Sequence, residues 1–332
     1  MSKIGKAALV FTIAVLICGV DISMALAQST TIRFLSSFPE TGVSKQTMVP
    51  FAESIEKASF GDIKVMRSGP AVVPPFQQLR PLSMGVFDML FTTPAYHQAD
   101  TGVGAIVDGA FLFDLKRMQE SGLRDKINDY YRKKFGVEII AIVPGAPSHI
   151  ILKEPLDKNG RLTGRKISAT PAMRGAVEAL GGVPVNMRPT DVYTAMQKGT
   201  IDGIAFPQHA SAEYGFDQVA SYMTRPAFGP QVQVVMVNSE RFKSWPESVR
   251  KIVLEQARIF EEQAPPVVAR IIDEANAKLK SGGLKEIQFP ENVAASLEGL
   301  FFDGVVENAR KSDPEGVNEI VEFARSKKMT IK

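Results

Sequence analysis

The stretch GRKISATPAMRGAVEALGGVPVNMRPTDVYTAMQKGTIDGIAFP, residues 164–207, decides the fold. It opens with a short strand, Lys166–Ala169, and Thr170 stands before Pro171, the pairing of an N-cap hydroxyl with a proline in the first helical turn. Gly181-Gly182 stops that helix, a second runs from Thr190 to Gly199, and Asp202–Ala205 returns as a strand. Strands and helices alternating this tightly are α/β architecture.

The chain before this stretch repeats the order. Thr31–Leu35 reads as a strand, residues 36–42 as a loop, and Met48, Phe51, Ile55 and Ala58 mark one face of a helix. Asp62–Met66 is a second strand, ended by Ser68-Gly69-Pro70; a helix over Pro75–Met84, a buried strand Phe87–Phe91 and the loop Thr92–Tyr96 follow. Ligands in open α/β sheets sit beyond the carboxyl ends of the strands, so loops 36–42, 68–74 and 92–97 are expected to share one rim. Gln119–Phe135 reads as a charged helix whose Arg132-Lys133-Lys134 suits the negative end of the helix dipole and faces solvent. Val137–Val143 is a strand, and Pro144-Gly145-Ala146-Pro147 marks a crossing to a second lobe, which opens with the strand His149–Leu152.

Beyond residue 207, Gln231–Asn238 is a strand and Ser244-Trp245-Pro246-Glu247 predicts a capping box. The long helix it opens carries one apolar stripe: Val249, Ile252, Val253, Ala257, Phe260, Ala264, Val268, Ile271, Ala275 and Leu279. Pro265-Pro266 predict a kink or break near Ala264. A strand at Glu286–Phe289 and helices near 291–310 and 315–327 finish the chain. Its length and 45% hydrophobic content exceed what one core usually holds. Two lobes are expected, residues 28–147 plus about 232–270 as lobe I and 148–231 plus about 271–332 as lobe II.

Residues 1–27 have the build of a secretory signal peptide, with Lys3 and Lys6, an apolar run from Ala7 to Cys18, and Ala25-Leu26-Ala27 before Gln28. Cys18 is the only cysteine and lies in that segment, so no disulfide or thiol chemistry is expected of the exported chain. Val15-Leu16-Ile17 lacks the small residue that lipoprotein processing needs, and no later stretch is long and apolar enough to span a bilayer, so no membrane insertion of the mature chain is expected. Removing Lys3, Lys6 and Asp21 from 39 basic and 36 acidic residues leaves 37 and 35, a charge of +2, too small and dispersed to imply nucleic acid. A Gly-x-Ser-x-Gly elbow and histidines at metal-ligand spacing are both missing from the sequence, so neither metal nor cofactor is expected and an enzyme is not. A Ser168/His149 nucleophile–base pair is the hydrolase reading to test, though no third orienting group is evident.

Several segments taken together carry a family resemblance: Gly69-Pro70-Ala71-Val72-Val73-Pro74-Pro75-Phe76, Gly85-Val86-Phe87-Asp88, Leu162 to Ile167, Gly181 to Val185, and Asp191 to Gly199 before Asp202-Gly203. In this order they resemble the DctP-family solute-binding proteins of TRAP (tripartite ATP-independent periplasmic) transporters, across nearly the whole mature chain. The resemblance implies a periplasmic receptor: a two-lobed α/β binding protein, its lobes joined by crossing strands and a long kinked helix. It implies a small organic carboxylate ligand, trapped as the lobes close and passed to TRAP membrane permease subunits. A module reporting to a sensor or to another transporter class has the same fold.

In the family an arginine follows Lys-Ile on the second-lobe strand and grips the substrate carboxylate through two prongs. This chain has Ser168 there. The replacements to weigh are Arg174, whose alternative is a surface ion pair; the helix N-terminus after Thr170, whose alternative is a plain cap; and the Ser168 and Thr170 hydroxyls. His149 lies near a second family contact, with a core histidine as its alternative; His209 is a weaker candidate and His97 is expected at the first-lobe rim beside Tyr96. Phe38, Tyr96 and Phe206 suggest an apolar or aromatic wall, so the ligand is expected to be more apolar or aromatic than a sugar acid. Val73 on its loop and Gln208 after Pro207 complete the candidate set.

Overall fold

The computed structural model describes residues 29–331, so the signal-peptide expectation at 1–27 lies outside the described residues. Eleven strands are present among them: β1 (Thr30–Ser36), β2 (Ile63–Ser68), β3 (Met89–Thr92), β4 (Val137–Pro144), β5 (Ser148–Leu152), β6 (Lys166–Ala169), β7 (Val183–Val185), β8 (Gly203–Pro207), β9 (Tyr222–Arg225), β10 (Val232–Asn238) and β11 (Lys285–Gln288). They form two sheets, ordered β2-β1-β3-β10-β4 and β11-β9-β5-β8-β6-β7. In the first, β1 runs parallel to β2 and β3, while β10 is antiparallel to β3 and β4. In the second, β6 is parallel to β7 and β8, and β5 is antiparallel to β8 and β9. Helices complete a two-lobed α/β fold, as the sequence predicts.

The lobes are joined by two short crossings, residues 145–147 from β4 to β5 and 226–231 from β9 to β10. These crossings hydrogen-bond to one another: Gly145 N–H donates to the Gln231 carbonyl at 2.8 Å, and Ser148 and Phe228 exchange N–H···O bonds of 2.8 and 2.9 Å. This pairing satisfies backbone groups of a largely buried two-strand connection.

The third link is the helix Glu247–Ser281, 35 residues and so about 50 Å long. Nine of the ten predicted stripe positions are buried, Ile252 being only partly so. Its first half packs under the first sheet, with Phe260 stacked on Phe51 at 4.9 Å, and Ala275 and Leu279 join the core around Ile204 and Phe216 in the second lobe. Pro265 and Pro266 take two donors out of the ladder, yet the helix continues through them, a single kinked span rather than two helices. Ahead of the prolines, Glu261 fastens it to lobe I: its carboxylate takes the Ile142 N–H at 2.7 Å and pairs with Arg124 at 2.8 Å, and Arg124 also donates to the Ile140 carbonyl. Glu261→Ala strands a half-hidden guanidinium and a buried N–H, and is expected to cost about 3 kcal/mol. A urea midpoint close to that of the parent protein would show that this fastening contributes nothing.

Local details depart from the sequence expectation. The helix expected over 75–84 is a 3-10 turn, Pro75–Gln77, then a short helix, Leu79–Ser83. The capping box does not form: Pro246 occupies the N-cap and Ser244 ends the preceding helix Ser239–Ser244, its hydroxyl donating to the Arg241 carbonyl. The Gly102–Gly109 helix and β9 were not anticipated. Helix Leu297–Arg310 packs on Gly102–Gly109 in one lobe and on Arg174–Ala179 in the other, and Pro314–Ser326 lies on first-lobe helices. No helix among the described residues is long and apolar enough to cross a membrane.

Candidate functional site

A cavity of about 610 Å³ opens between the lobes. All three rim loops reach it: Ser37 and Phe38 from the first, Pro70 and Pro74 from the second, Thr93 and Tyr96 from the third. The crossings supply Gly145, Ala146 and Gln231–Gln233, and lobe II supplies Thr170, Arg188, Phe206, His209 and Tyr214. Two recesses adjoin it, a small one at Ser168 and Asn186 and an outer one of about 620 Å³ at Arg174, Asn308 and Lys311. Phe76, Tyr96, Thr170 and Pro171 line all three spaces.

Aromatic side chains line the cavity from both lobes. Tyr96 sits 4.9 Å from Phe76 and 6.0 Å from Phe38 between ring centroids, and Phe206 meets Tyr214 edge-on at 6.0 Å. Burial raises the pKa of the Tyr96 phenol above its usual range, so it stays a protonated donor.

Of the nine sequence candidates, Phe38, Tyr96, Ser168, Thr170, Arg174 and Phe206 line these spaces, and Val73, His149 and Gln208 do not. Thr170 does cap, its Oγ1 accepting the Met173 N–H at 3.3 Å to start the turn Pro171–Met173. Arg174 reaches only the outer recess, half-exposed and 3.2 Å from Glu178. Val73 turns its carbonyl to Gln78 Nε2 at 2.8 Å, and Gln208 Oε1 takes a 2.7 Å bond from Asn276. His149 is wholly buried on the central strand β5, with Nε2 2.9 Å from Ser211, and burial lowers its pKa to about 3. Strand β8 separates it from Ser168, so the Ser168/His149 pair does not form. His97 is likewise not at the rim; it is fully buried and held at about 3 by burial.

The sequence reading missed the polar groups of the main cavity. Asp108, on Gly102–Gly109, is buried; its Oδ1 accepts from Thr93 Oγ1 at 2.5 Å and from Val232 N–H at 3.2 Å, and burial pushes its pKa up to about 7. Gln233 Oε1 and His209 Nδ1 are buried with no partner among the described residues, and burial lowers His209 to about 4. Glu213 reaches across from lobe II, accepting the Val43 N–H at 3.2 Å, its pKa raised by burial. Arg188 stands at the mouth, exposed and 2.8 Å from Asp191. One signal in the sequence was available: a single acid inside the apolar run Val103–Phe111 is a residue type almost never buried without a reason.

Comparison with known proteins agrees with this geometry. A solute-binding protein of Verminephrobacter eiseniae is 24% identical over 259 residues, covering 76% of each chain. A TRAP periplasmic solute-binding protein of Desulfovibrio salexigens, solved with orotic acid, superposes with a TM-score of 0.77 at 15% identity, over 90% of this chain and 98% of its own. A Bordetella pertussis extracytoplasmic solute receptor that binds pyroglutamic acid gives 0.76 at 16% identity, over 89% and 99%. Both solved structures share the fold just described. The family model for bacterial extracellular solute-binding proteins, family 7, matches residues 36–298, which includes ten of the eleven described strands, both crossings and most of the cavity wall, and the chain therefore belongs to that family.

Proposed function

We propose that the protein is the periplasmic receptor of a TRAP transporter, and that it traps a small organic carboxylate with a flat, apolar or aromatic body for delivery to the membrane permease. The observation that carries this reading is the 610 Å³ cavity with aromatic side chains on both lobes and a paired hinge at its base. The relatives solved with orotic and pyroglutamic acids support a cyclic acid as ligand class. The lobes that close are residues 29–147 with about 232–270, and 148–231 with the chain from about 271, Pro314–Ser326 riding on the first. Phe38, Tyr96 and Phe206 hold the body of the ligand, and the Thr170 hydroxyl and Ser168 border it. Such a receptor performs no chemistry on its ligand; closure gains contacts that the open form lacks.

With no arginine at position 168, we assign capture of the carboxylate to Arg188, which lines the main cavity, rather than to Arg174, which is confined to the outer recess. Arg188→Ala is expected to weaken binding about tenfold, about 1.4 kcal/mol, and Arg174→Ala less than threefold; calorimetry giving the reverse order would move the clamp to the outer recess. The ligand class is tested by thermal unfolding against mono- and dicarboxylates, keto acids and aromatic acids. A true ligand at a hundred times its Kd stabilises by about 2.7 kcal/mol and raises Tm by several degrees. Unchanged melting across the panel would refute the carboxylate reading.

A further inference from the structure

Resting on the reading of the main cavity as the ligand site, we propose that the ligand carries a nitrogen hydrogen-bond donor, a protonated amine or a ring N–H, and that Asp108 is the residue that selects for it.

Asp108 is 2% exposed, yet its carboxyl lines the cavity. Oδ1 is occupied by Thr93 and Val232, whereas Oδ2 has no donor among the described residues and no cation stands within 4.0 Å. Gln233, one residue along β10 from Val232, holds a buried Oε1 with no donor. Glu213 brings a third acceptor to the same space, its one hydrogen bond coming from the Val43 N–H. Among the residues lining the cavity the one cation is Arg188, at the exposed mouth and already beside Asp191, while Lys278 behind the wall favours ionised Glu213.

A buried acceptor left without a donor is costly, which is the state of Gln233 Oε1, and a buried carboxylate without a cation is costly too, which is why burial favours the protonated form of Asp108 until a donor reaches Oδ2. Asp108 is also the penultimate residue of Gly102–Gly109, where the exposed helix carbonyls add negative potential. A ligand that was only a carboxylate would bring its own negative charge to a wall already rich in acceptors. A ligand with its carboxylate toward Arg188 and a nitrogen donor toward Asp108 satisfies both ends. Burial holds the Asp108 pKa at about 7, and a bound donor offsets that by favouring the carboxylate.

The test uses matched acids that differ in one nitrogen: L-proline against cyclopentanecarboxylate, L-phenylalanine against 3-phenylpropionate, and pyroglutamate against 3-oxocyclopentanecarboxylate, each titrated by calorimetry into the parent protein and into Asp108→Asn. The asparagine Oδ1 retains both existing hydrogen bonds, and its unfolding curve checks the fold. In the parent protein the nitrogen-bearing member of at least one pair is expected to bind at least tenfold more tightly. Asp108→Asn is expected to lose at least tenfold for that member and less than twofold for its nitrogen-free partner. Equal binding of both members in the parent, or an unchanged preference in Asp108→Asn, overturns this proposal and leaves the carboxylate receptor standing. No binding by any member overturns both.

Discussion

Gly175→Val is expected to cost at least about 4 kcal/mol and to lower Tm by about 10 °C. Gly175 lies on the helix Arg174–Ala179, directly after the Thr170 turn, and packs on Gly304 of Leu297–Arg310 with no side chain between the two backbones. A Cβ built at Gly175 falls 2.3 Å from Gly304 Cα and 2.8 Å from its carbonyl carbon; one built at Gly304 falls 2.6 Å from Gly175 Cα. The obstacle is backbone on both sides, so no rotamer change relieves it and the helices must separate. Because Leu297–Arg310 also packs on Gly102–Gly109 across the cleft, separation moves Thr170 relative to Tyr96. Gly175→Ala is expected to cost about half as much, and both variants to lose ligand affinity along with stability. A valine variant melting within 3 °C of the parent would show that the two helices part freely.

That contact also explains what the sequence conveys and what it hides. The long helix was legible because its apolar stripe repeats at helical spacing over eight turns, a signal that two prolines do not erase. The turn at Thr170-Pro171 was legible because capping is local chemistry. The Gly102–Gly109 helix was not, since three of its eight residues are glycine, a poor helix former. Those glycines answer to distant chain: a Cβ at Gly102 would lie 2.0 Å from the Ala309 carbonyl oxygen, and one at Gly104 2.3 Å from that of Pro94. Tertiary approach, not propensity, makes this segment a helix, and Asp108 was overlooked with it.

For the site, the rim loops and aromatic residues were predictable from strand ends, but the direction of individual side chains was not. Strand β5 is buried at every position, so alternation between an apolar and a polar face, which would have turned His149 toward core or cleft, is absent. Arg188 escaped notice because it looks like an ordinary surface partner of Asp191, and it becomes a candidate clamp only once β8 and the rim loops place it at the cavity mouth. The departure at Ser168 remains informative. At Ser168 this chain offers a small recess walled mostly by apolar side chains, and the buried acceptors stand in the main cavity instead.

The buried histidines lead to a strong dependence of stability on acid. His97 and His149 are held at about 3 and His209 at about 4, each by burial, against roughly 6.5 in an unfolded chain. Between these values the unfolded state binds three protons that the native state refuses, so stability rises with pH across this window and is lost as pH falls below 6.5. Asp108 works in the opposite sense: the native state keeps its proton up to about 7 while the unfolded chain releases it near 4, so this group lowers stability as pH rises. For these four groups alone, three protons taken up less one released leaves about two, or at most about 2.7 kcal/mol per pH unit between 4.5 and 6, and Glu213, Glu261 and Glu298, each raised by burial, act in the same sense as Asp108. Over that range up to about 4 kcal/mol should disappear, a large part of the 5–15 kcal/mol that holds a typical domain folded. Urea midpoints at half-unit pH intervals measure the slope directly, and a value below one proton would mean that water or a rearrangement reaches the histidines. His97→Leu or His149→Leu should each remove about one proton from the slope. Addition of a nitrogen-donor ligand should raise it toward three, because Asp108 is then ionised in the native state and no longer opposes the histidines.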